Sequence, residues 1–171
     1  MKKIFKNVEI VNIVEYFNQL KPDVLDEIPL KIRWNLKKNI DKIKPMAVSY
    51  ENFRNECVVK LQKEWFNEER SESFMKTKVD ANGNPVLDVN GNEITEPQRR
   101  IKKEYMEQYT KAVNEINEKL IEIGQEDNEI EISTFDMDAF VDSLTDDTKI
   151  DFGTLTMLSF MDTTTNVKEE Q

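Results

Sequence analysis

The chain has 171 residues, 24 basic and 34 acidic, for a formal charge of −10; 38% are hydrophobic and 34% charged. The length fits one ordinary domain, and the high charged share favours thin helices that each bury one stripe. The acidic balance argues against general binding to nucleic acid or an anionic membrane, both of which require a basic surface.

Ile4 and Phe5 predict a short strand, followed by a helix over about 8–19 with Asn7 as N-cap. Its apolar positions Val8, Val11, Val14 and Phe17, with Ile10 and Ile13 beside them, recur at helical spacing. Leu20-Lys21-Pro22-Asp23 ends that pattern. Pro29 suits the first turn of the next helix. The stripe Ile32, Leu36, Ile40, Ile43, Ala47, Tyr50, Phe53, Cys57, Leu61, Trp65 then predicts one long helix to about Glu69. Pro45 predicts a kink or break near 41–45.

Residues 77–95 contain two Asn-Gly pairs, Asn82-Gly83 and Asn90-Gly91, in a duplicated unit, VDANGNPV then LDVNGNEI. Both central positions of a type I′ turn need positive φ, so tandem Asn-Gly pairs predict a small three-stranded meander. Pro97 is expected to open a second long helix to about Ile123, striped by Ile101, Tyr105, Tyr109, Ala112/Val113, Ile116, Leu120 and Ile123 and stopped by Gly124. The two helices would run roughly 58 and 40 Å. Glu129–Ser133 alternates like a strand, Asp136–Leu144 reads as a short helix, Lys149–Phe152 as a second strand, and Thr154–Met161 as a last helix. The expected fold is α+β, mainly α: two long antiparallel helices with a small β meander at the tip, packed on a small mixed base from both termini. In a single domain over 1–171, the base is 1–28 and 124–162, the helical hairpin 29–76 and 97–123, the meander 77–96, and 163–171 a polar tail.

The chemistry expected of the chain is sparse. It has no histidine, so the usual general base and nucleophile pairs have no counterpart. Its four glycines form no phosphate-cradling loop. The lone cysteine, Cys57, falls on an apolar stripe and reads as a small buried hydrophobe in a reducing compartment. No apolar run approaches the roughly 20 residues that span a bilayer, and the opening MKKIFK lacks a signal-peptide core. The Asp80-Ala81-Asn82-Gly83-Asn84 and Asp88-Val89-Asn90-Gly91-Asn92 segments miss the calcium-loop spacing of glycine and glutamate and read as turns. No catalytic residue, metal or cofactor is expected.

Charge is unevenly placed. Residues 31–44 and 99–103 are basic; 126–147 and the tail from Lys168 to Gln171 are acidic. Candidate partner-binding residues are Trp34, off the stripe of its own helix, with Arg33 beside it, and the carboxylates Asp136, Asp138, Asp142, Asp146 and Asp147. Trp34 either packs on the base or marks a partner surface.

The opening KIFKNVEIVNIVEYF, the IPLKIRWNLKKNIDKIKP helix start, the DANGN/DVNGN pair and the closing KIDFGTLTMLSFM together resemble a family of small uncharacterised proteins of tailed bacteriophages and prophages. The resemblance implies a phage protein acting in the bacterial cytoplasm or in the virion. A helix, turns and a returning helix are also similar to prefoldin-type coiled-coil hairpins, with extra elements at both termini. Two functional readings follow. One is an assembly or virion accessory component whose hairpin binds itself or another phage protein. The other is an inhibitor that binds a host protein, an enzyme or defence complex, through its acidic surface.

Overall fold

The computed structural model describes residues 1–163; the expected acidic run 168–171, and the tail beyond Thr163, lie outside the described residues. The chain is α+β with helix dominant, and it divides into two compact units, 1–53 with 121–171 and 54–120.

In the first unit, β1 (Lys2–Lys6) turns Lys3 and Phe5 inward and pairs antiparallel with β4 (Asp127–Glu131), Lys2 opposite Glu131 and Lys6 opposite Asp127. Helix α1 (Asn7–Gln19) follows at once. Asn7, expected as its cap, is instead the first helical residue. Glu9 accepts the Lys6 N–H at 2.7 Å, which satisfies the entry to the helix. That leaves the Asn7 amide to donate to the Ile123 carbonyl at 2.7 Å and to accept from Asn128 at 3.0 Å.

The chain does not merely stop at Leu20–Asp23. Pro22 opens a six-residue helix, α2 (Pro22–Glu27), where a missing N–H costs nothing. Helix α3 (Leu30–Trp65) is unbroken across Pro45. Buried Ile43, Ala47 and Tyr50 hold the same face on both sides of that proline, so packing outweighs one lost backbone bond.

Two further helices, α5 (Met137–Asp142) and α6 (Phe152–Leu158), are capped by Asp136 and Asp151, which accept from Ala139 N at 3.0 Å and Thr154 N at 2.7 Å. The strand expected at 149–152 does not form. Ile150 is buried as expected of a strand, but Asp151 is a strong N-cap and sends the chain into helix at Phe152. A 3-10 turn, Ser159–Met161, ends this region. Two apolar clusters make the core: Ile10, Val14, Ile43 and Ile132 in one, Ile28, Leu36, Phe140, Leu158 and Met161 in the other.

In the second unit, α3 ends at Trp65, short of the expected 69–76. Asn67 accepts the Arg70 N–H at 2.9 Å and donates to the Glu64 carbonyl at 2.8 Å, closing a turn into β2 (Ser71–Thr77). Strand β2 pairs antiparallel with β3 (Thr95–Ile101). Pro97 therefore lies in a strand, opposite Met75, and opens no helix. A two-stranded sheet gives every strand an outer edge, where a residue without an N–H is tolerated. Helix α4 (Met106–Gly124) begins only after a 3-10 turn at Lys103–Tyr105.

Between β2 and β3 lie the two Asn-Gly turns, closed by the isolated bridges Val79–Pro85 and Leu87–Glu93. Gly83 and Gly91 take φ of 84° and 81°, the left-handed region where a side chain is strained. Asp80 Oδ1 accepts from the N–H groups of Asn82 and Asn84 at 2.8 and 2.9 Å, and Asp88 repeats this with Asn90 and Asn92. The backbones of Lys78, Val86 and Ile94 close a ring: Lys78 donates to Ile94, Ile94 to Val86 and Val86 to Lys78, each at 2.8 Å.

Candidate interaction surfaces

Trp34 stands on α3 with 59% of its surface exposed, one turn after Leu30 at 75%. Arg33 is half-buried and donates to Asp26 at 2.8 Å. Trp34 thus packs into neither core cluster, and the four-residue step puts it on the same helix face as Leu30.

The five candidate aspartates do different work. Asp136 is committed to capping α5. Asp147 accepts from the Thr145 hydroxyl at 2.5 Å, and that hydrogen bond holds its carboxyl below the ordinary range. Asp138, Asp142 and Asp146 are exposed, and no described cation pairs with them. Among the described residues no group of three acids or thiols is placed to hold a metal ion.

In the second unit the apolar stripes are present but incompletely covered. Trp65 and Ile101 are buried, and the Tyr109 ring meets Trp65 and Phe66 edge-on at 5.7 and 5.9 Å. Arg70 lies 4.7 Å over the Trp65 ring. Farther along, Cys57 and Leu61 on α3 and Val113, Ile116 and Leu120 on α4 are only half-buried. Of all α4 residues, Gly124 alone is buried.

Several polar residues gain their importance only from the fold. Asn39 is fully buried on α3, donating to the Ser133 carbonyl and accepting the Ser133 N–H, both at 2.8 Å. Asn35 donates to the Thr134 carbonyl at 3.3 Å and Lys42 to that of Glu131 at 2.7 Å. Together these side chains cover the outer edge of the strand that continues from β4. Lys3 is buried and donates to the Asp162 carbonyl at 2.5 Å; burial pulls its ammonium below the ordinary range, against the opposing charge of Asp162. Glu27 accepts from the Thr148 hydroxyl and the Lys149 N–H, both at 2.6 Å, pinning the loop before α6. The helical spacing of Asn35, Asn39 and Lys42 was the one sequence signal, since it puts polar groups beside the apolar stripe.

No family model, no curated protein and no solved structure matches this chain.

Proposed function

We propose that this chain is a non-enzymatic, phage-encoded protein–protein interaction protein, an assembly or virion accessory component. In this reading the paired stretches of α3 and α4 in the second unit form an antiparallel helical hairpin whose stripe docks on copies of itself or on another phage protein. One observation carries the reading: α4 bears a full apolar stripe, yet between Met106 and Ile123 no side chain is fully buried. Covering the half-exposed Leu61, Val113, Ile116 and Leu120 would contribute about 1 kcal/mol each from each copy, set against the several kcal/mol that association costs. No described helix is long and apolar enough to cross a membrane, which is compatible with action in the host cytoplasm or in the particle. Light scattering at low and high salt tests the reading. A stable oligomer that Ile116→Glu dissociates supports it; a monomer at both salts overturns it.

A second reading, inhibition of a host enzyme or defence complex, draws support from the exposed carboxylates of Asp138, Asp142 and Asp146, which no cation among the described residues pairs. It expects a monomer that captures a basic host protein at low salt and loses it when these three become asparagine.

A further inference from the structure

The two-stranded sheet of the first unit has two outer edges, and the fold treats them differently. Asn35, Asn39 and Lys42 cover the edge that continues from β4. Among the described residues the edge of β1 has no such cover. Met1 and Ile132 exchange both backbone hydrogen bonds, at 3.0 and 2.8 Å. In an antiparallel ladder the bonded pairs alternate, so Lys3 and Phe5 bond inward to Ile130 and Asn128, while the N–H and C=O of Lys2 and Ile4 face outward. No other described backbone or side chain takes them up. Two surface cavities flank this edge, and Lys3 and Ile4 line both. One, about 350 Å³, is lined by Phe5, Ile13, Met157 and Phe160; the other, about 390 Å³, by Lys2, Lys6, Asp127 and Glu129; Glu9 lines both.

We propose that the outer edge of β1 is a strand-addition site for an extended acidic segment of a partner protein, its acids alternating with aliphatic residues. Strand β4 already shows the complement that β1 selects. It presents Glu129 to Lys2 at 2.7 Å and Asp127 to Lys6 at 3.5 Å on the outer face, and turns Ile130 into the core. A second segment of that pattern would place aliphatic side chains in the Phe5–Phe160 cavity and acids beside the lysines, with main-chain bonds to Lys2 and Ile4 supplying affinity. A second copy of β1 is the wrong occupant, because KKIFK against itself would oppose lysine-rich strands. The inference does not depend on the helix-stripe reading, since it uses another unit and needs no oligomer.

The test uses the full chain and a short fluorescent peptide alternating glutamate and valine, with a lysine–valine peptide as control, followed by anisotropy. The glutamate peptide should bind and the lysine peptide should not. Ile4→Pro removes an outward N–H without touching the inward pairs, and should weaken binding about tenfold, one hydrogen bond's worth; Ile4→Thr should retain it. Should Ile4→Pro fail to fold by circular dichroism, the double variant Lys2→Glu/Lys6→Glu decides, because it should invert the preference toward the lysine peptide at little cost in stability. Equal binding of both peptides, binding by neither, or glutamate-peptide affinity unmoved by both Ile4→Pro and the charge inversion overturns the proposal, as does edge pairing of two copies that Ile4→Pro abolishes.

Discussion

Asn39→Leu isolates what a single buried amide contributes. Leucine keeps asparagine's branched skeleton of four side-chain heavy atoms and is the bulkier of the two, so the change removes hydrogen bonds without opening a cavity. The wild-type amide both donates to and accepts from the Ser133 backbone at 2.8 Å, and Asn39 has no exposed surface. Leucine would orphan one N–H and one C=O. An orphaned buried group costs about 1–3 kcal/mol. Ser133 is half-buried, so water reaches part of it and the lower half of that range applies, giving a total of about 3 kcal/mol. That is more than a hundredfold in the folding equilibrium, and with a urea slope of about 1–3 kcal/mol/M it moves the midpoint by at least about 1 M. Urea unfolding followed by circular dichroism reads it, and amide exchange at Ser133 should accelerate. Lys42→Met removes the neighbouring bond to the Glu131 carbonyl, but Lys42 is exposed and the loss should stay within about 1 kcal/mol. An unfolding free energy for Asn39→Leu within about 0.5 kcal/mol of wild type would refute the reasoning that these amides stand in for a missing strand.

Gly124→Ala should destabilise by about 1–3 kcal/mol, as overpacking does. A Cβ there would fall 2.7 Å from Tyr50 Oη and 2.9 Å from Val8 Cγ1, and the double variant with Tyr50→Phe should recover part of the loss in thermal melts. The turn carboxylates should titrate low. The Asn84 backbone N–H, with that of Asn82, holds Asp80 below the ordinary carboxylate range, and the Asn92 N–H does the same for Asp88. A depressed folded pKa means that the turns keep their full support above the ordinary aspartate value of about 3.9 and lose it as pH falls through the lower folded value. Backbone amide shifts of Asn82, Asn84, Asn90 and Asn92 should move together in an acid titration by NMR.

The carboxylates at 136–147 were legible as an acidic surface, but which of them stay uncommitted was not, since capping by Asp136 depends on where α5 begins. Trp34 was legible as off the stripe; its exposure follows from which elements lie near α3.

The sequence by itself determined the local features. The period of Ile32 to Trp65 set α3, the alternation of 129–133 marked a strand that forms two residues earlier as β4, and Asn-Gly put Gly83 and Gly91 at positive φ, because each of these depends on a side chain acting on its own or neighbouring backbone. Only the tertiary structure decided the rest. Pro97 lies in β3 because Met75 is there to pair with it, and Pro45 stays in helix because Ile43 and Ala47 are buried around it. Asn39 and Lys3 became core residues because distant carbonyls came within reach, at Ser133 and Asp162. Those outcomes rest on contacts between residues far apart in the chain, and a hydrogen bond or buried surface of that kind leaves no periodic mark at either end.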